Sequence, residues 1–152
     1  MQHRLVVALA YALACVFSTA CARNAARTRV TPEFLANPAG AAQPFSSAVR
    51  VGDLIFVSGQ IGTDASGRLA AGGIRSETRQ ALSNIRDVLA RSGSSMDRVV
   101  KCTVFMADMA EWATMNEVYV TFFPEHRPAR SAFGTTGLAF NARLEIECIA
   151  AA

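Results

Sequence analysis

From residue 45 onward the chain alternates between strand-like and helix-like patterns, and this alternation limits the folds open to it. Phe45–Val51 and Leu54–Ser58 have the composition of strands and are joined at Gly52 and Asp53, residues that favour a tight reversal. From Ile74 the apolar residues recur at helical spacing, and this repeat ends near residue 93. The pattern therefore predicts a hairpin followed by a long amphipathic helix.

The next segments predict another strand and a second helix. Val99–Met106 alternates in polarity, as a strand with one buried face does. Asp108 can cap the following helix, Glu111 completes a pattern similar to a capping box, and Pro124 ends the helix. On the strand we expect one face made by Val100, Cys102, Val104 and Met106 and the other by Lys101, Thr103 and Phe105, and on the helix an apolar stripe of Trp112, Met115, Val118, Tyr119 and Phe122.

Two more strands, starting near Arg130 and Arg143, complete the predicted order of elements. This order gives an α+β domain with a mixed β-sheet, and short right-handed crossovers place both helices on one face of the sheet. The other face is then bare, although Leu54–Val57 is apolar at both parities, and Phe105 and Ile149 also point to it. Strands with two apolar faces need cover on both sides, so we expect an oligomer; a monomer with a mildly apolar surface is the alternative.

Composition supports a single domain, and we predict neither a metal nor a cofactor. The 152 residues are 51% hydrophobic and 18% charged, which is enough for one compact core but not for two. Imidazole can come only from His3 and His126. The net charge of +3 is carried almost entirely by scattered arginines, and the lack of a basic stripe argues against nucleic acid as the main partner.

The N-terminal residues 1–22 have the pattern of a signal peptide. Arg4 gives a basic start, Leu5–Phe17 is apolar but short for a membrane span, and small residues follow. The run Ala20-Cys21-Ala22 fits ordinary cleavage, whereas Cys21 with its preceding residues resembles a lipoprotein box, so secretion, lipid attachment at Cys21 and an uncleaved anchor stay open. We expect an exported protein, periplasmic or attached to the membrane only through its N-terminus.

The remaining chain divides into a predicted tether, residues 23–43, and a folded domain, residues 44–152. The tether contains arginines, alanines and two prolines without a regular period. In the domain, Arg130 and Glu145 offer a fixed cation and a carboxylate near the ends of two strands. From the residues alone, Arg130 either forms a structural ion pair with Glu145 or Glu147 or anchors an anion beside a positioned water.

Several short motifs follow one another in a fixed order along the domain. They are Ala48-Val49-Arg50-Val51-Gly52-Asp53, Val57-Ser58-Gly59-Gln60-Ile61, the run 78–85, Asn116-Glu117-Val118-Tyr119, Phe122-Phe123-Pro124-Glu125-His126, Pro128-Ala129-Arg130-Ser131 and Glu145-Ile146-Glu147. With these motifs the chain resembles the RidA/YjgF family of reactive-intermediate (enamine/imine) deaminases over nearly all of residues 44–150. The resemblance implies a chorismate-mutase-like α+β fold, a homotrimer, and cofactor-independent hydrolysis of 2-imino acids to 2-oxo acids and ammonia.

The resemblance also assigns roles to residues. It implies that Arg130 grips the substrate carboxylate, for which a planar guanidinium suits two parallel hydrogen bonds, and that Glu145 positions the attacking water. Ser58 and Gly59 match the pocket wall, and Asn116 matches a polar group near its mouth, with neighbouring subunits of the trimer contributing different residues. Two positions depart from the family: Phe45 stands where many members have tyrosine, and Ala132 stands where relatives often have a reactive cysteine.

Other functions remain open at this stage. A non-catalytic trimeric binder of small carboxylates, or an exported stress-related protein, needs Arg130 but not Glu145. A ribonuclease or translation-inhibitor role, as in some relatives, fits an exported protein poorly. Cys102 and Cys148 fall at apolar strand positions, which predicts buried thiols rather than nucleophiles; export permits a disulfide between them, but the sequence does not indicate one.

Overall fold

The computed structural model describes residues 29–37 and 43–152, which contain one six-stranded mixed sheet and two α-helices. The strands are β1 (Glu33–Leu35), β2 (Ala48–Val51), β3 (Leu54–Ile61), β4 (Val99–Met106), β5 (Ala129–Gly134) and β6 (Leu144–Ala151), and the helices are α1 (Ile74–Arg91) and α2 (Trp112–Tyr119). In the described residues the strands lie in the order β1-β2-β3-β6-β4-β5. Strands β4 and β5 run parallel, and the other neighbouring strands pair antiparallel.

The core lies between one face of the sheet and the two helices, as predicted. The long helix α1 contacts β3, β6 and α2, which places both helices on the same face. Strand residues two apart alternate between this core and the other face because a strand has a side-chain period of two. The fully buried core side chains include Ile55, Val104, Leu144 and Ile146 from the sheet and Leu82, Ile85, Leu89 and Met115 from the helices.

The predicted hairpin and the limits of most elements are confirmed. Strands β2 and β3 are joined by a two-residue turn in which Gly52 has a φ of 59°, a conformation that glycine adopts without steric cost. The predicted α1, β4, β5 and β6 are present within a few residues of their expected ends. The predicted α+β fold is therefore correct.

The predicted tether is wrong for its central residues. Glu33–Leu35 forms the edge strand β1, which pairs antiparallel with β2. Three residues are too few to show a period, and main-chain hydrogen bonds hold this strand largely independently of its side chains, so no local pattern predicts it. The sheet thus begins before residue 44. The predicted signal peptide, residues 1–22, and its candidate lipidation site Cys21 lie outside the described residues.

One local prediction on β4 fails, whereas the predicted cap at Asp108 is formed. A bulge between Val99 and Lys101 turns Val99 inward and leaves Val100 49% exposed, so Val100 does not share the buried face of Cys102. Before α2, Asp108 Oδ1 accepts a hydrogen bond from the Ala110 amide at 2.8 Å, as a cap should, but a 3₁₀ turn intervenes before the helix.

In a capping box the side chain of Glu111 would accept a hydrogen bond from the Asp108 amide, and this bond is not formed. Glu111 pairs with Arg143 across the fold, at the start of β6. A tertiary ion pair has therefore replaced a local hydrogen bond. Trp112, expected in the apolar stripe, is 43% exposed, whereas Met115, Val118 and Tyr119 of that stripe are buried.

Cys102 and Cys148 form a disulfide, which corrects the prediction of two buried thiols. They are register partners on β4 and β6, with their Cα atoms 4.1 Å apart, and both face the core. Sequence alone did not indicate the pairing because a sequence separation of 46 says nothing about which strands are neighbours. Strand register decides it.

The sheet face opposite the helices carries apolar side chains, as predicted. Leu54 and Phe56 are each 42% exposed and Phe133 is 46% exposed. Phe105 packs edge-on against Phe133 with ring centroids 5.1 Å apart. We call this surface, with Ile149, the open face. Across residues 29–37 and 43–152, no helix is both long and apolar enough to cross a membrane.

Candidate active site

Arg130 lies on the edge strand β5, on the face that the helices cover. Its register partner is the buried Cys102, which fixes the direction of its side chain. The guanidinium carbon lies 4.6 Å from the ring centroid of Tyr119 and 5.9 Å from that of Trp112, distances at which a cation is attracted to an aromatic face. Both rings come from α2, seven residues apart, so they lie on one side of the helix.

The guanidinium of Arg130 has no hydrogen bond or ion pair with any residue that the structure describes. The structural ion pair with Glu145 or Glu147, left open by the sequence, is not formed within the chain. The aromatic rings hold the cation while its donors remain free. A planar guanidinium in this state can receive a carboxylate through two hydrogen bonds.

Arg130 opens into a cavity of about 370 Å³ at the junction of α2 and β5. The sequence-predicted Asn116 lies in the same cavity, so the structure brings these two site residues together. The polypeptide reaches the cavity from two sides, the helix and the segment that leads into the strand. Its lining is Asn116, Tyr119, Val120, Arg127, Pro128 and Arg130.

Tyr119 forms the buried floor of this site. It is 3% exposed, and among the described residues its hydroxyl has no hydrogen-bond partner. Burial raises the pKa of Tyr119 to about 12, although the nearby Arg130 favours the phenolate. The ring is therefore neutral at physiological pH and presents its face to Arg130 without competing for the anion.

Glu145 lies on β6, where Ile61 on β3 and Phe105 on β4 are its register partners, so it belongs to the open face. The start of this strand is tied to α1, because the Arg143 amide donates a hydrogen bond to the buried carboxylate of Glu77 at 2.8 Å. Within the described residues the carboxylate of Glu145 has no hydrogen-bond partner. It is free to hold water.

Gly59 makes room for that carboxylate. Strand β3 has an irregularity between Val57 and Gln60, and a Cβ placed on Gly59 would lie 1.8 Å from Oε1 of Glu145. Any other residue at position 59 would displace the glutamate. The assignment of Ser58 and Gly59 to the pocket wall stays a prediction, and the structure supplies a steric reason for glycine at position 59.

Ser58 and Phe45 lie near Gly59 and Glu145. The hydroxyl of Ser58 donates a hydrogen bond to the carbonyl of Ser46 at 2.7 Å, and its amide donates to Ser47 at 3.1 Å. Phe45 precedes Ser46 directly and is 52% exposed. Four predicted residues thus lie in or next to the irregular part of β3: Phe45, Ser58, Gly59 and Glu145.

The cavity at Arg130 and the residues near Glu145 do not meet within one chain. From Arg130 to Glu145 the sheet is crossed by two strand spacings of ~4.8 Å and three residues of ~3.3 Å, a separation of roughly 14 Å between Cα atoms. Their side chains also point to opposite faces of the sheet. One small substrate cannot touch both residues of the same chain, so a shared site needs a second copy.

Some features of the site were missed from sequence. Trp112 and Tyr119 were assigned only to an apolar stripe, and their spacing of seven was the available signal that they share one side of the helix. Arg127 was not singled out, although it stands three residues before Arg130. The described residues contain no cluster of side chains suited to hold a metal ion.

Fold and site together define a small single-sheet α+β protein with a free arginine on the helix-covered face and a free glutamate on the open face. Comparison with known proteins makes the class specific: the chain belongs to the Endoribonuclease L-PSP family, whose model matches residues 35–152. A mouse protein named 2-iminobutanoate/2-iminopropanoate deaminase is 44% identical over 108 residues, which are 70% of this chain and 80% of the mouse chain.

Solved structures agree with this assignment. The crystal structure of YEO7 from yeast is 40% identical and superimposes with a TM-score of 0.73 over 81% of this chain and 98% of the yeast chain. The YjgF gene product of E. coli is 35% identical, with a TM-score of 0.69 over 73% of this chain and 90% of its own. The resemblance to the RidA/YjgF family is thereby confirmed.

Proposed function

We propose that the protein is a hydrolytic deaminase that converts 2-imino acids, of the 2-iminopropanoate and 2-iminobutanoate type, into 2-oxo acids and ammonia. The observation that carries the proposal is the pair of unpartnered charges, Arg130 held on aromatic rings and Glu145 held against Gly59. The name of the mouse relative supports the same reaction.

The proposed site forms between copies of the chain in a homotrimer. The open face supplies the contact, because Leu54, Phe56 and Phe133 leave apolar surface that a neighbour can cover. Glu145 lies on this face, so a neighbouring copy can bring its own Arg130 cavity to the glutamate. The roughly 14 Å that separate the two residues within one chain are then no obstacle.

In the proposed mechanism Arg130 of one copy binds the substrate carboxylate through two charge-assisted hydrogen bonds. Glu145 of the next copy orients a water molecule toward the imine carbon and accepts its proton during attack. Glu145 passes that proton to the imine nitrogen, so the tetrahedral carbon carries a hydroxyl and an amino group. Glu145 then takes the hydroxyl proton and gives it to the nitrogen as the C–N bond breaks, which leaves the 2-oxo acid and ammonia. Burial by the neighbouring copy fixes the distances on which the attack depends.

A coupled assay that generates 2-iminobutanoate in front of the purified protein tests the role of Glu145. We expect Glu145→Gln to lower kcat at least about a hundredfold while the affinity for 2-oxobutanoate stays nearly intact, since the loss is confined to the general base. Glu147→Gln is the matched control, because Glu147 lies on the same strand and face without a role in the reaction. Near-normal turnover in Glu145→Gln would favour the non-catalytic carboxylate binder.

Variants of Arg130 should lose activity in a different way in the same assay, through weaker binding of the substrate carboxylate. Loss of a charge-assisted pair of about 1.5–3 kcal/mol predicts a tenfold to hundredfold drop in kcat/KM for Arg130→Ala. Arg130→Lys should recover little, since an ammonium cannot present two parallel donors to a carboxylate. Normal binding and hydrolysis by Arg130→Ala would contradict the assignment.

Export is a further part of the proposal. Residues 1–22 have the pattern of a signal segment, and the Cys102–Cys148 disulfide suits an oxidising compartment. Fusion of the first 30 residues to a reporter should move the reporter out of the cytosol. Unchanged membrane association of a Cys21→Ala variant would exclude lipid attachment at Cys21 but not secretion.

A further inference from the structure

A second arginine, Arg127, lines the same cavity as Arg130. It is exposed, and in the part of the chain that the structure describes its guanidinium has neither a hydrogen bond nor an ion pair. The nearest acidic residue along the chain, Glu125, is not part of the lining, and no other carboxylate is. Within one chain the lining thus includes two arginines and no carboxylate.

Arg130 alone can bind one substrate carboxylate through two hydrogen bonds, so the proposed reaction leaves Arg127 without a role. The Cα atoms of Arg127 and Arg130 are at most about 10 Å apart, the span of three extended residues, and both residues border one cavity. Asn116 on α2 adds an uncharged polar group to the same wall. Two cations at this spacing suit a short ligand with an anionic group at each end, which neutralises both.

We propose that the preferred substrates are 2-imino acids with a second acidic group, the imines of four- and five-carbon dicarboxylic amino acids. Arg130 binds the carboxylate next to the imine, and Arg127 binds the distal carboxylate. The assignment rests on the proposed imine hydrolysis and names its substrate class. The water oxygen bonds to the imine carbon, the C–N bond breaks, and nitrogen leaves as ammonia with both water protons.

Binding of unreactive product analogues tests the assignment without catalysis. The only tryptophan, Trp112, lies beside Arg130, so its fluorescence can report occupancy of the cavity. We expect 2-oxoglutarate to bind about threefold to tenfold more tightly than 2-oxobutanoate, the gain from one ion pair between partly solvated groups. The preference should shrink as salt rises from about 20 to 200 mM, because exposed charges are screened.

Arg127→Gln should abolish the preference by weakening 2-oxoglutarate binding about threefold to tenfold, while 2-oxobutanoate binding changes less than about twofold. Arg79→Gln is the matched control. It removes the same charge from an exposed site on α1, outside the cavity, and should keep the preference. Equal binding of the two oxo acids by the unaltered protein overturns the proposal, and so does an equal effect of Arg127→Gln on both.

Light scattering of the Arg127→Gln variant adds a separate criterion. An altered oligomeric state would assign Arg127 to the contact between copies and would overturn its role as a ligand.

Turnover of the imines of glutamate and 2-aminobutanoate separates the two proposals. A dianion preference without deamination contradicts the deaminase function alone. Deamination of 2-iminobutanoate without that preference contradicts only the substrate class.

Discussion

At the scale of single residues, Tyr119 has the most distinctive environment. Its ring supports Arg130 at 4.6 Å, while its buried hydroxyl has no partner among the described residues. The ring therefore serves the site, and the hydroxyl costs stability. Conservative variants can separate the two effects because phenylalanine keeps the ring and leucine removes it.

We expect Tyr119→Phe to retain binding of 2-oxobutanoate and to be as stable as the parent, or more stable by up to about 1 kcal/mol, because an unsatisfied buried group is removed. Tyr119→Leu should weaken that binding about threefold to thirtyfold through loss of the cation–π contact. Calorimetry and thermal melting measure both. A clear destabilisation of Tyr119→Phe would show that a neighbouring copy supplies a partner for the hydroxyl.

The same residue predicts a loss of stability in alkali. Because burial raises the pKa of Tyr119 to about 12, the folded protein holds a proton that the unfolded chain loses near pH 10. The contribution to stability is complete below about pH 10 and disappears as the pH rises to about 12. Denaturant melts across this window should show the decline, and Tyr119→Phe should reduce it. An identical decline in both proteins would contradict the assignment.

At the scale of elements, the bulged end of β3 fixes the position of Glu145. A Cβ on Gly59 would lie 1.8 Å from the glutamate oxygen, whereas one on Gly137 would meet nothing within 4 Å. Gly59→Ala should therefore lower kcat/KM about a hundredfold by displacing the carboxylate. Gly137→Ala, the control, should be nearly normal. Circular dichroism checks that both variants are folded, and full activity of Gly59→Ala would contradict the role of Glu145.

The disulfide joins two central strands and should stabilise the sheet. The disulfide joins residues 46 apart in sequence, and the entropy that it removes from the unfolded chain raises the free energy of unfolding by up to about 4 kcal/mol. The double variant Cys102→Ala/Cys148→Ala should melt about 10 °C lower than the oxidised protein. Dithiothreitol should lower the melting temperature of the parent but not that of the double variant. A reactive thiol at Cys102 or Cys148 in the unfolded, unreduced protein would contradict the pairing.

At the scale of the whole molecule, the open face predicts the assembly. Light scattering should give three times the mass of one chain, and Phe56→Glu should yield a folded but smaller and inactive species, because a charge on this face opposes its burial. Phe140→Glu changes an aromatic residue that is 77% exposed outside the sheet and should leave the trimer intact. A stable monomer of the parent at micromolar concentration would contradict both the trimer and the shared site.

The sequence by itself determined the elements and much of their packing. Periods of two and 3.6 residues are local properties, so the hairpin at Gly52, helix α1 and the strand Val99–Met106 could be predicted from them. The apolar residues on both parities of β3 likewise predicted the open face. The motif resemblance supplied Arg130, Glu145, Ser58, Gly59 and Asn116, whose roles in the reaction remain predictions.

Only the tertiary structure decided which residues meet. The edge strand Glu33–Leu35 depends on main-chain pairing with β2, and the Cys102–Cys148 bond depends on the register of β4 against β6. The same register places Arg130 and Glu145 on opposite faces of the sheet. Contacts between residues far apart in sequence depend on strand order and bulges, which no local period encodes. That is why the sequence could name both charges of the site but could not show that one chain keeps them apart.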